Sequence, residues 1–175
     1  MKKIELRNYK DFLDNTIFIV SLLLGYVLQT SLRFINIKGI TPIILLSIVI
    51  SISMLQNMII SCIYSLIGGL LCDMAMNCIV GVSVLWFVII AVVVNILTIW
   101  YFKINMVNFI IFLTVSLFIE YSIILLYKFI LLGIADINLF MLYTALPSIL
   151  FTILLGPFVF IFFLYVNNIF IHNYS

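Results

Sequence analysis

From Gly39 to Phe102 the chain carries a single charged side chain, Asp73, set in the run Gly68-Gly69-Leu70-Leu71-Cys72-Asp73. A stretch of that length without charge cannot stay solvated by water, so its solvent is lipid. The lone carboxylate is then expected where the chain comes up to a surface or a protein partner, in a turn between two apolar helices. The rest of the chain agrees: 67% of residues are hydrophobic and 8% charged, where soluble proteins carry roughly 25% charged residues. The predicted class is an all-α polytopic membrane protein.

Apolar runs of about 20 residues cross a hydrocarbon core of about 30 Å. Six such runs are predicted, at 16–32, 41–55, 58–71, 79–102, 106–132 and 139–166, with five possible if one weak segment merges. Lys2, Lys3, Glu5, Arg7, Lys10, Asp11 and Asp14 precede them. Residues 1–14 are therefore expected as a cytosolic interfacial lead-in and 15–175 as a single transmembrane helical domain, with the first run retained rather than cleaved as a signal peptide. Asp14, Asn15 and Thr16 supply capping oxygens for the first span, and a proline in the first turn, Pro42, opens the second. Trp100, Tyr101 and Lys103 form the aromatic-plus-cation pattern of a headgroup interface. Lys2, Lys3, Arg7, Lys10 and Lys103 on one side against Arg33, Lys38 and Lys128 on the other place both termini in the cytosol. Pro147 and Pro157 are expected to kink the last span.

Small residues recur at fourfold spacing: Ser47 and Ser51, then Ser61, Ser65 and Gly69. Such stripes let helix backbones approach closely where lipid removes the hydrophobic drive between helices. They serve either a tight hairpin of the second and third spans or an external partner helix. Asp73 and Asn77 read as polar cover for helix ends. Gln29 and Asn95 are further intramembrane polar residues. Glu120, near the middle of the fifth span, needs a partner: Tyr121, Ser116, Asn95 and Thr98 are candidates, and the residue serves as a buried structural acid or as part of a ligand site. Lys128 lies about 80° round the helix from it, too far for direct pairing.

Catalytic and metal chemistries lack their residues. Cys62, Cys72 and Cys78 contain no Cys-x-x-Cys and the one histidine, His172, lies in the tail, so no metal site and no cofactor is expected. There is no phosphate loop, no nucleophile elbow and no basic footprint for nucleic acid at a net charge of +2.

Leu28-Gln29-Thr30, Thr41-Pro42, Gly68-Gly69-Leu70-Leu71-Cys72-Asp73 followed by Gly81-Val82-Ser83-Val84-Leu85, Glu120, Leu146-Pro147 and Gly156-Pro157 together resemble the rod-shape-determining MreD family over residues 16–165. The chain departs from that pattern at Met74-Ala75-Met76-Asn77, where a serine-glycine turn is more usual. The resemblance implies a non-enzymatic subunit of the bacterial elongation machinery in the cytoplasmic membrane. It would bind MreC and reach MreB, RodA and a class B penicillin-binding protein indirectly, supporting peptidoglycan synthesis and cell shape. Ser61, Ser65, Gly68, Gly69, Asp73 and Gly81 are the partner-binding candidates. The alternative is the substrate-binding S component of an energy-coupling-factor vitamin transporter, whose compact bundle this family's is held to resemble. Asn95 and Glu120 would then line a vitamin pocket. The first span's Ser21 and Gly25 are a weak substitute for the alanine groove such components use for docking.

Overall fold

The computed structural model describes residues 2–34, 42–76, 81–132 and 144–172, with side-chain surroundings for 15–31, 42–76, 81–126 and 144–168. These residues form six α-helices in chain order: α1 (Lys2–Phe34), α2 (Ile44–Leu55), α3 (Met58–Met76), α4 (Val82–Trp100), α5 (Met106–Leu132) and α6 (Leu146–His172). Met58–Met76, Val82–Trp100, Met106–Leu126 and Leu146–Asn168 are long and apolar enough to cross a membrane, while the apolar helical stretches Asn15–Ser31 and Ile44–Leu55 are shorter. The helices fit a multi-pass membrane protein. The six expected runs are all helical, but four meet the length of a crossing.

The arrangement is organised around α2. At 12 residues it is about 18 Å long, well short of a bilayer core. Every residue from Ile44 to Met54 is buried, and the helix packs against each of the other five. Its serines turn inward on themselves: Ser51 Oγ donates to the Ser47 carbonyl at 2.8 Å and Ser53 Oγ to the Val49 carbonyl at 2.8 Å. Small residues on the neighbours let them close in. A Cβ on Gly156 of α6 would lie 3.5 Å from Ser47 Oγ and 2.5 Å from Leu113 Cδ2 of α5.

A buried helix has both ends inside the protein, where water cannot satisfy its free amides and carbonyls. Neighbouring helices supply the partners. At the N-terminus, the Ile43 amide donates to Thr152 Oγ1 of α6 at 3.1 Å and the Leu45 amide to Gln29 Oε1 of α1 at 3.3 Å. At the C-terminus, Asn95 Nδ2 of α4 donates to the Ser53 and Gln56 carbonyls at 3.0 and 2.8 Å. Aromatic contacts close the remaining seams, with Phe109 of α5 stacked on Phe160 of α6 at 4.5 Å between centroids and Phe18 of α1 edge-on to Tyr64 of α3 at 5.3 Å.

Several helix boundaries differ from expectation. The charged lead-in and the first span are one continuous 33-residue helix, so Asp14, Asn15 and Thr16 lie within it and are not its cap. Asn15 Oδ1 instead accepts from the Tyr64 hydroxyl at 2.9 Å. Pro42 precedes the Ile43 N-cap of α2 rather than sitting in the first turn. Pro147 is the second residue of α6, where the missing amide is not needed by the helix, so it is a starting proline and not a kink. Pro157 is the proline inside that helix. Thr41, Asn77, Cys78 and the predicted start of the last span at 139 lie outside the described residues.

Candidate functional site

The largest correction concerns Asp73. The third helix does not stop at Leu71 but continues to Met76, and Asp73 lies within its last turn with none of its surface exposed. Its carboxylate does not meet the outside. Oδ2 accepts from the Gly81 amide at 2.6 Å and Oδ1 from the Ser83 amide at 3.0 Å. These are among the first amides of α4, which has no side-chain cap of its own. An anion at this position satisfies two orphan donors and meets the positive end of the helix dipole. The expected role as polar cover for helix ends is thus the one observed, exercised on α4 from the end of α3.

Gly81 makes this closure possible. It is the N-cap of α4 with φ of 113°, a backbone region that side chains rarely adopt. The chain can then bring two successive amide positions back onto one carboxylate.

Ser83 extends the link. Its hydroxyl donates to Glu120 Oε1 of α5 at 2.9 Å, while Glu120 Oε2 has no hydrogen-bond partner and the residue is 1% exposed. None of the four partners expected for Glu120 is the one found. Asp73, Ser83 and Glu120 form a hydrogen-bonded thread across α3, α4 and α5. Cys72, beside Asp73, accepts from Gln29 Nε2 at 3.7 Å, and the same Gln29 holds the start of α2 through its oxygen. Gln29, Asp73, Gly81 and Glu120 therefore collect at one end of the bundle. Asn95 belongs to the other, as the C-terminal cap of α2.

The small-residue stripe of α3 lies between helices. Ser61, Ser65, Gly68 and Gly69 are buried. A Cβ on Gly69 would come within 2.5 Å of Val84 Cα and 2.9 Å of its nitrogen, so the α3 and α4 backbones touch there. One on Gly68 would meet Val49 Cγ2 of α2 at 2.8 Å and Leu22 Cδ2 of α1 at 3.4 Å. Close packing at this stripe was expected between the second and third helices; its tightest contact is with the fourth. The residues offered as a partner groove are filled by this chain's own helices, and the face α3 turns outward is another: Ile59, Ile63, Leu66, Ile67, Leu70 and Met74.

Ser83 and Thr152 are the working residues that sequence reasoning passed over. Ser83 carried a signal, a hydroxyl two positions after a glycine at a helix start. Thr152 carried none, since its target amide lies 109 positions away in the chain. Among the described residues no group of three histidine, cysteine or acidic side chains is placed to hold a metal ion. Both oxygens of Asp73 are committed to amides, and Glu120 meets a hydroxyl already fixed beside the α4 cap. What this geometry does is lock three helices in register.

A family model described as rod shape-determining protein MreD matches residues 10–169, nearly the whole chain. Comparison with curated proteins and with solved structures gave no match.

Proposed function

Because the chain belongs to the rod shape-determining protein MreD family, we infer that it serves the bacterial cell-elongation machinery as a non-enzymatic membrane subunit that binds MreC. Through MreC it reaches MreB, RodA and a class B penicillin-binding protein, and so supports peptidoglycan synthesis and cell shape. The observation that carries this reading is the family match across nearly all of the helical region. The S-component alternative has no such support from the comparisons. The reading places the chain in the cytoplasmic membrane with both termini in the cytosol.

Recognition of MreC within the bilayer follows from what the bundle presents. Its described polar side chains are mostly turned inward, and the outward faces of the helices are apolar. Helices in lipid associate by packing rather than by hydrophobic drive, so a partner span needs a firm, shaped ridge. The outward face of α3 is such a ridge: Ile63, Ile67, Leu70 and Met74 recur along it at helical spacing and are between 38% and 63% exposed. On this reading Ser61, Ser65, Gly68, Gly69, Asp73 and Gly81 act on the partner indirectly, by seating α3 against α4 so that the ridge is held in one position.

The test is co-purification of MreC from detergent extracts with the triple variant Ile63→Ala, Ile67→Ala, Leu70→Ala. These side chains face lipid, so the bundle should insert and melt as the parent does while MreC is lost. Retention of MreC at the parent level removes this face from consideration. Failure of the parent chain itself to retain MreC removes the partnership.

A further inference from the structure

At the end of the bundle opposite the Asp73–Glu120 thread, the α2–α3 turn and the α4–α5 turn enclose an open cleft of about 860 Å³. That lies in the range of roughly 300–1,000 Å³ typical of sites for small organic ligands. Its floor is apolar, its polar lining includes Gln56, Asn57, Asn95 and Lys103, and no acidic side chain lines it. The turn that forms one wall is well pinned: the Tyr101 and Phe102 amides both donate to the Leu97 carbonyl at 2.9 Å, and Asn108 Nδ2 donates to the Lys103 carbonyl at 2.8 Å.

Three features define what fits. The rim carries Trp100 and Tyr101, 76% and 80% exposed, with Lys103 beside them, at the end of a membrane-length helix. Amphipathic rings and a cation at that position mark headgroup depth, so in a bilayer the cleft opens onto lipid headgroups. Asn95 lines the cleft and is only 3% exposed; its Nδ2 is spent on the α2 cap, and its Oδ1 has no partner. A buried acceptor without a donor is costly and calls for one. Lys103 supplies a positive charge with no acid in the lining to oppose it.

We propose that this cleft is a binding site for an aminophospholipid. The lipid phosphate sits at Lys103, the headgroup ammonium donates to the polar lining that includes Asn95 Oδ1, and the acyl chains run along the exposed Ile96 and Ile99 of α4. The zwitterion matches the site in both parts: an anion for the cation, and N–H donors for the unfilled acceptor. This proposal stands apart from MreC binding, which uses the outward face of α3.

The experiment is native mass spectrometry of the purified full chain titrated with phosphatidylethanolamine, phosphatidylcholine and phosphatidylglycerol of identical acyl chains. Phosphatidylcholine keeps the charges but has no N–H donor, and phosphatidylglycerol keeps the phosphate but has no ammonium. Phosphatidylethanolamine should bind about tenfold more tightly than either, the size of one hydrogen bond to a charged group. Lys103→Ala, an exposed change that leaves the fold alone, should weaken it about fivefold. Equal binding of the three lipids overturns the proposal, as does a Lys103→Ala chain that binds phosphatidylethanolamine like the parent.

Discussion

The carboxylate of Asp73 accepts the amide of Ser83 across 3.0 Å, so the last turn of α3 provides the cap that the first turn of α4 lacks. The consequence is mechanical. Two helices that already touch backbone to backbone at Gly69 and Val84 are also fastened at their shared end, and the Ser83 hydroxyl carries the fastening on to Glu120 of α5. A face built on α3 cannot shift relative to α4 without breaking amide-to-carboxylate bonds inside the bundle.

Removing the Asp73 carboxylate should therefore destabilise the fold without altering any exposed surface. Asp73→Ala leaves the Gly81 and Ser83 amides without their acceptors. Loss of a helix cap costs about 0.5–2 kcal/mol, and a buried donor left unmade costs about 1–3 kcal/mol. The expected total is a few kcal/mol, read as a clear drop in the thermal midpoint of the detergent-solubilised protein. Asp73→Asn, which keeps one acceptor oxygen, should fall between the alanine variant and the parent. An alanine variant that melts with the parent would mean that these bonds contribute nothing.

The two adjacent glycines of α3 should respond differently to the same methyl group. At Gly69 the new Cβ meets Val84 Cα and nitrogen, which are backbone and cannot turn aside; at Gly68 its nearest neighbour is Val49 Cγ2, the end of a side chain. Overpacking costs about 1–3 kcal/mol. Gly69→Ala should lie at the top of that range or above it and Gly68→Ala at the bottom. Melting of the two variants side by side checks the order, and equal losses would contradict it. Gly81→Ala meets no atom within 4 Å but holds φ of 113°; its cost should be the backbone term alone, about 1–2 kcal/mol.

Much of this was legible from the residues. Charge depletion from Gly39 to Phe102 gave lipid as solvent, and the fourfold spacing of Ser61, Ser65 and Gly69 gave a close helix approach. The spacing could not say which helix fills the groove, because a small-residue stripe describes an absence of side chain and carries no mark of its occupant. Asp73 was misplaced for a related reason. A single acid in an apolar run reads locally as the end of a span, whereas its partners stand 8 and 10 residues further on, across a turn. The enclosure of α2 was visible only as shortness, which a tilted or a sunken helix would share. The contacts from Thr152 and Gln29 that make burial tolerable come from distant parts of the chain.

Glu120 tests how the thread divides its energy. Ser83 is the partner of Oε1, and Oε2 has none. Ser83→Ala removes the one hydrogen bond of a buried acid, an uncompensated change that should cost about 1–3 kcal/mol. Glu120→Leu in the same background removes the stranded group, and replacing both partners of a buried polar contact by apolar groups is often close to neutral. The double variant should thus be more stable than Ser83→Ala alone. A double-mutant cycle on thermal unfolding measures the coupling; strictly additive losses would show that Ser83 and Glu120 do not depend on one another.

The ends of α2 offer the sharpest separation between stability and surface. Thr152→Val keeps the shape of the side chain and removes the acceptor for the Ile43 amide; Asn95→Leu keeps the volume and removes both donors to the Ser53 and Gln56 carbonyls. In a surface helix water would replace either partner. α2 is buried from Ile44 to Met54, so the stranded groups stay stranded, at about 1–3 kcal/mol for each. Asn95→Leu, which strands two carbonyls, should lower the thermal midpoint more than Thr152→Val, which strands one amide. The same pair of changes should leave MreC co-purification intact at temperatures where both variants remain folded, since neither touches the outward face of α3. Loss of MreC from a folded Thr152→Val protein would place the partner site on α6 or α2 instead.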